Sequence, residues 1–125
     1  MLTRIDSTGR EVRITEIYYK DEYRNFIVKL NQTEQDEIFN FVRQSIVVGR
    51  EFSVSTKFGS TVLQWETVPL ILIYKACDGD QELSARILGL VVMDIAITDS
   101  CKWYCTKTST GHSTKEPNYY WSQAA

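Results

Sequence analysis

The chain has 125 residues, a length that fits one domain with a core of its own. A hydrophobic fraction of 43% and a charged fraction of 24% are typical of an ordinary globular protein. The formal net charge of -2 and a sequence pI of 5.4 argue against a nucleic-acid-binding surface, which usually carries a basic patch.

The most apolar stretch, residues 68–97, predicts a buried core and not a membrane span. A span needs about 20 consecutive apolar residues, and this stretch is divided by Lys75, Asp78, Asp80, Glu82, Arg86 and Asp94. Residues 1–6 lack the apolar run of a secretory signal. Three cysteines are too few for a disulfide framework. We therefore expect a cytoplasmic protein.

The first 30 residues predict strands. A turn signal at residues 7–10, which contains Gly9, separates a short first strand from a β-rich run at 11–20. After a break at Asp21 and Glu22, apolar and polar residues alternate cleanly over 23–30. The runs at 11–20 and 23–30 therefore predict an antiparallel hairpin with one buried face.

An amphipathic helix is predicted next. Thr33 is placed as its N-cap, with Asp36 three residues later as a near-match to a capping box, and Gly49 ends it. Apolar side chains recur along it at helical spacing: Ile38, Phe41, Val42 and Ile46. A second hairpin is then predicted from alternation at 52–56, a turn at 58–61 and a returning strand at 61–65.

A buried helical pair is predicted over residues 68–97. Thr67 and Pro69 start the first helix, Gly79 ends it, and Asp80 caps the second. The second helix is apolar on most of its surface, as expected in the middle of a domain. Because residues 87–97 are rich in β-branched side chains, a strand remains the alternative there.

The C-terminal part predicts a short strand, a loop and an aromatic tail. The strand contains Cys101, Trp103 and Cys105, the polar loop covers 106–117, and residues 122–125 are expected to fray. The fold class is therefore α+β: antiparallel β-hairpins with one amphipathic helix and a buried helical pair. We expect a single globular domain over 1–125 with a mobile segment at 106–125.

No pattern in the sequence specifies a catalytic or metal site. His112 is the only histidine, and it lies in the polar loop without the rigid support that catalysis needs. Cys101 and Cys105 lie about 13 Å apart if they are on a strand, too far to share a zinc ion with Cys77 and His112. The acidic turn at 78–80 lacks the ligand array of an EF-hand. We expect no cofactor and no metal.

The surface features favour binding to another protein. Acidic residues cluster at Asp21 and Glu22 and again at Glu34, Asp36 and Glu37, where they suit a basic partner. Aromatic residues, which are enriched at binding hot spots, gather at the C-terminus. The predicted partner-binding residues are therefore Asp21, Glu22, Glu34, Asp36, Glu37, Tyr119, Tyr120 and Trp121.

These observations lead to one functional hypothesis and two alternatives. The hypothesis is a small non-enzymatic cytoplasmic protein-binding module, one version of which is an immunity-type inhibitor that neutralises a basic toxin by covering it. One alternative is a small hydrolase or nuclease that uses His112. A homodimer whose aromatic residues pair with each other also stays open.

Overall fold

The computed structural model describes residues 1–6, 8–54, 57, 69–107 and 119–124. These residues form a single-domain α+β fold, as the sequence predicted, with a five-stranded mixed sheet and four helices. In chain order the elements are β1 (Leu2–Ile5), β2 (Glu11–Ile14), α1 (Lys20–Ile27), α2 (Gln32–Ser45), β3 (Phe52–Ser53), α3 (Leu70–Ala76), α4 (Gln81–Thr98), β4 (Trp103–Lys107) and β5 (Tyr119–Gln123).

The sheet has the strand order β2-β1-β4-β5-β3. The β1–β4 pair is parallel, and the other three pairs are antiparallel. In this register Leu2 lies opposite Trp103, and Cys105 lies opposite Trp121. All four side chains are buried, so they share the face of the sheet that packs on the helices.

Helix α4 is the centre of the core. Residues 87–97, for which a strand is the alternative prediction, are helical, in agreement with the preferred prediction. Asp80 caps it as predicted, because its carboxylate accepts a hydrogen bond of 3.1 Å from the Leu83 amide. Nine residues of α4 are buried, and the helix packs against α1, α2, α3 and β1.

The predicted strand at 23–30 is wrong, because this segment forms helix α1. Tyr23 and Phe26 are buried at helical spacing, whereas Val28, expected on the same strand face as Phe26, is 79% exposed. The β-rich run at 11–20 shortens to β2. The strand that pairs with β2 is β1, through a turn in which Asp6 Oδ1 accepts hydrogen bonds of 2.9 Å from the amides of Thr8 and Arg10.

The predicted amphipathic helix is confirmed as α2, but its cap is Asn31 and not Thr33. Asn31 Oδ1 accepts from the Glu34 amide at 2.8 Å, and Glu34 Oε1 accepts from the Asn31 amide at 3.0 Å. This reciprocal pair is a complete capping box, which Thr33 and Asp36 only approximate. The helix ends before Gly49, which adopts its positive φ of 82° in the following turn.

The second predicted hairpin is only partly within the described residues. Phe52 and Ser53 form β3, which is shorter than the strand predicted over 52–56 because Val54 is already helical, and β3 pairs with β5 at the edge of the sheet. The returning strand at 61–65 and the turn at 58–61 lie outside the described residues, as does Thr67. Helix α3 begins after its N-cap residue, Pro69.

The C-terminal segment is more ordered than the sequence predicted. Trp103 and Cys105 lie in β4 as predicted, but Cys101 precedes the strand, and Thr106 and Lys107, placed in the loop, belong to it. The expected fraying is wrong for Ser122 and Gln123, because they pair with Tyr104 and Trp103 inside the sheet. The rest of the predicted mobile segment, residues 108–118 and 125, lies outside the described residues.

A carboxylate at the end of α4 ties the helix to two strands. Asp99 Oδ2 accepts hydrogen bonds from Trp103 Nε1 at 3.0 Å and Gln123 Nε2 at 3.1 Å, while Oδ1 accepts from the Cys101 amide at 3.1 Å. The Trp103 indole first, and then the Cys101 amide, favour the charged carboxylate and lower the pKa of Asp99.

Replacing Asp99 with Asn is expected to destabilise the fold by about 1–3 kcal/mol, because the amide cannot accept all three hydrogen bonds. In the wild type, the lowered pKa of Asp99 adds stability above the unfolded-state value of about 3.9, and that stability is lost as the pH falls below it. The variant should therefore lose less stability in acid. Urea unfolding at pH 7 and at pH 3 measures both effects. Asp21→Asn, the same change at an exposed site, is the control; equal stability of the two variants would refute the role of Asp99.

A second buried hydrogen bond joins α1 to α4. The hydroxyl of Tyr23, a residue only 5% exposed, donates to Asp94 Oδ2 at 2.8 Å. Burial first, and then the neighbouring Asp94 carboxylate, raise the pKa of Tyr23 above its ordinary value of 10.

Tyr23→Phe is expected to lower stability at pH 7 by about 0.5–1.5 kcal/mol through loss of this hydrogen bond. Above pH 10 the unfolded state loses the Tyr23 proton while the folded state keeps it, so the wild type loses stability as the pH rises. The variant lacks this contribution, and the gap between the two proteins should narrow between pH 9 and pH 11. Tyr104→Phe, at a half-exposed ring on the other face of the sheet, is the control. A gap that stays constant with pH would contradict the assignment.

Candidate functional site

The first acidic pair lies at the start of α1 and is partly neutralised. Asp21 is exposed, but both carboxylate oxygens of Glu22 accept hydrogen bonds from the same Nη1 of Arg86 in α4, at 3.0 and 3.1 Å. The same guanidinium lies 5.2 Å from the centroid of the Tyr19 ring. The charge of Glu22 is therefore already engaged inside the protein, between α1 and α4.

The second acidic group lies in the first two turns of α2. Glu34 is part of the capping box and so has a structural role. Asp36 accepts a hydrogen bond of 2.9 Å from Gln32 Nε2 within the same helix, and both Asp36 and Glu37 are exposed. These two carboxylates face solvent and are available to a partner.

The turn between α1 and α2 contacts the end of α3, just before the turn between α3 and α4. Lys29, in the turn between α1 and α2, donates a hydrogen bond of 3.1 Å from Nζ to the Ala76 carbonyl, where α3 ends. The second turn, between α3 and α4, therefore lies beside the start of α2. It contributes three further exposed acidic residues, Asp78, Asp80 and Glu82.

The geometry of this second turn explains how it presents its charges. Helix α3 ends in a Schellman motif, in which the Gly79 amide donates to the Tyr74 carbonyl at 2.9 Å and the Asp78 amide to the Lys75 carbonyl at 3.1 Å. Asp78 and Gly79 adopt positive φ angles of 53° and 76°. The chain therefore reverses tightly, and α4 starts immediately, with Asp80 as its cap.

We call this surface the acidic end. It comprises six acidic residues with two lysines among them: Glu34, Asp36, Glu37, Asp78, Asp80 and Glu82, with Lys29 and Lys75. The sequence indicates the α2 residues as an acidic group, whereas it predicts residues 78–80 only as a joint between helices. The same prediction combines the α2 residues with Asp21 and Glu22. These two residues lie at the N-terminal end of the eight-residue helix α1, whose two ends are about 12 Å apart by the helical rise, whereas Lys29 follows its C-terminal end.

A groove of about 330 Å³ opens beside the acidic end, between α1, α3 and α4. Its polar rim is formed by Glu22, Asn25 and Lys29. The rest of its lining is apolar or a thiol: Phe26, Ala76, Cys77, Leu83 and Ile87. Such a groove is large enough to receive one or two apolar side chains of a partner, at the edge of a charged surface.

The thiol in this groove lies in a buried environment that disfavours the thiolate. Cys77 is 4% exposed, and its burial raises the pKa of the thiol, so it stays protonated at neutral pH. Cys105, buried in β4, has its pKa raised to about 11 by the same cause. Cys101 is exposed, so the three cysteines do not share one environment.

The three predicted aromatic residues of β5 do not form one surface. Trp121 is 4% exposed and lies in the core. The half-buried Tyr119 ring packs against Trp121, with centroids 5.8 Å apart, and against Tyr18, at 6.0 Å. Tyr120 points to the opposite face, because neighbouring residues of a strand alternate. Burial raises the pKa of Tyr119 to about 12, so its hydroxyl is protonated.

Within residues 1–6, 8–54, 57, 69–107 and 119–124, no group of three His, Cys, Asp or Glu residues is arranged to hold a metal ion. His112, on which the hydrolase alternative depends, lies outside the described residues. In the same part of the chain, no helix has the length and hydropathy required to cross a membrane.

Comparison with known proteins identifies no relative. The chain matches no protein-family model, no curated protein and no solved structure.

Proposed function

We propose that this chain is a non-enzymatic protein-binding module whose acidic end docks on a basic partner protein. The observation that supports the proposal is the hydrogen bond from Lys29 to the Ala76 carbonyl, which brings the turn before α2 and the end of α3 together beside an apolar groove. Apolar pockets supply most of the affinity of protein interfaces, and surrounding charges supply specificity and fast association. In this protein the groove is the apolar pocket, and the acidic end supplies the surrounding charges.

The charges of the acidic end exceed those needed to stabilise its helices. Asp80 and Glu34 act as caps or capping partners. Glu37, Asp78 and Glu82 are exposed, and no cationic side chain pairs with them among the described residues. Like charges on one surface repel each other and steer an oppositely charged protein toward it.

One concrete version of this function is an immunity-type inhibitor that neutralises a basic toxin, such as a nuclease, by covering it. Inhibition of this kind needs surface complementarity and no catalytic residues. We further propose that the chain acts in the cytoplasm, where its three free cysteines stay reduced. If the partner is a toxin, an equimolar amount of this chain should abolish the toxin's activity.

The proposal predicts that neutralising the acidic end abolishes capture of the partner. The variant E37Q/D78N/E82Q removes three negative charges without touching either cap, and Asn tolerates the positive φ of residue 78. We expect the immobilised wild type to retain a stoichiometric basic protein from cells that produce the chain, and the variant to retain at least about tenfold less. Capture by the wild type should also weaken between about 50 mM and 500 mM salt, since exposed charges are screened.

The matched control is E16Q/E51K, which makes the same change in net charge at exposed sites outside the acidic end and its groove. This control should capture as much partner as the wild type does. Equal loss in both variants would mean that only net charge matters, and a wild type without a stoichiometric partner would overturn the proposal.

A further inference from the structure

We propose that β2 is a self-pairing edge, through which two copies of this chain join their sheets into one antiparallel sheet. Strand β2 ends the strand order of the sheet, and among the described residues only β1 pairs with it. This inference concerns the edge of the sheet and is independent of the acidic end.

The pattern of backbone hydrogen bonds between β1 and β2 shows which N–H and C=O groups of β2 point away from β1. The Asp6 amide donates to the Arg10 carbonyl at 3.0 Å, so in this register residues 10, 12 and 14 direct their backbone groups toward β1. On the other side of β1, the Trp103 amide donates a hydrogen bond of 2.7 Å to the Met1 carbonyl. This bond independently gives the same assignment of which residues direct their backbone groups toward β2. Glu11 and Arg13 therefore direct their N–H and C=O groups away from the sheet.

The exposed side chains of the same two residues have opposite charge. Glu11 and Arg13 lie on one face of β2, because they are two residues apart, and both are exposed. In an antiparallel pair of two copies with the two-fold axis at Val12, Glu11 of each copy lies opposite Arg13 of the other. Both pairs are then attractive, and about four backbone hydrogen bonds form between the open groups.

Neighbouring registers are disfavoured either by the backbone hydrogen-bond pattern or by the charges of Glu11 and Arg13. A shift by one residue brings open backbone groups opposite groups that already bond to β1, so the ladder does not form. A shift by two residues keeps the ladder but places Glu11 opposite Glu11, or Arg13 opposite Arg13, and like charges directly opposite are destabilising. The register centred on Val12 is the one that satisfies both backbone and charge.

The paired edge also covers apolar surface. Val12 and Ile14 are half-buried on the face that packs against the helices. In the proposed register Val12 contacts Val12 of the second copy, which removes part of the exposed side chain from water. The interface is isologous, as expected for a closed dimer. An open edge is otherwise a site for uncontrolled pairing, and a closed dimer removes that hazard.

A charge-exchange experiment tests the proposal. Arg13→Glu gives an edge with two acids, and Glu11→Arg gives an edge with two bases. Each variant alone is expected to dimerise at least about tenfold more weakly than the wild type, since both cross-strand pairs become repulsive. An equimolar mixture of the two variants restores both attractive pairs and should form a heterodimer. The double variant E11R/R13E should form homodimers as the wild type does.

Sedimentation equilibrium from about 1 µM to about 1 mM measures these associations, over the range in which a weak dimer becomes populated. Circular dichroism checks that each exposed-site variant keeps its fold, and Glu16→Arg is a control that reverses a charge beyond the end of β2. Dimerisation of the wild type, its loss in each single variant and its recovery in the mixture support the proposal. A wild type that stays monomeric, or single variants that dimerise equally well, would overturn it and leave the edge to solvent or to a strand of another protein.

Discussion

The burial of α4 (Gln81–Thr98) is the constraint on which the rest of the structure depends. Nine of its residues are removed from water, and this requires neighbours on most of its surface. The sheet covers one side, and α1, α2 and α3 cover the remainder. Asp99 fixes the end of this helix to β4 and β5 through the Trp103 indole and the Gln123 amide. The position of each turn on the surface follows from how the outer helices pack on α4.

The elements that the sequence predicted well are those with local signals. Helix α2 and the Asp80 cap of α4 depend on side chains within one helical turn. The sequence predicts a strand where α1 forms, because apolar and polar residues alternate over 23–30 while Tyr23 and Phe26 also have helical spacing. Only packing against α4 distinguishes the two patterns. The sheet order could not be predicted, because β1 pairs with β4, a strand about 100 residues later in the chain.

The sequence predicts only part of the candidate site, because the rest depends on contacts between residues far apart in the chain. Local composition indicates Glu34, Asp36 and Glu37, but the hydrogen bond from Lys29 to the Ala76 carbonyl, which brings the turn before α2 to the end of α3, joins residues far apart in the chain. Composition also suggested an aromatic surface at the C-terminus, whereas pairing in the sheet places Trp121 in the core. The groove beside the acidic end combines side chains of three helices, so no single stretch of sequence could show it.

The most direct measurement of the central claim is amide hydrogen exchange of the chain with and without its captured partner. If the acidic end and its groove form the docking surface, exchange should slow in residues 29–37 and 76–83 and stay unchanged in residues 11–14, in the edge strand β2. Protection confined to the sheet, with residues 29–37 and 76–83 unaffected, would contradict the account.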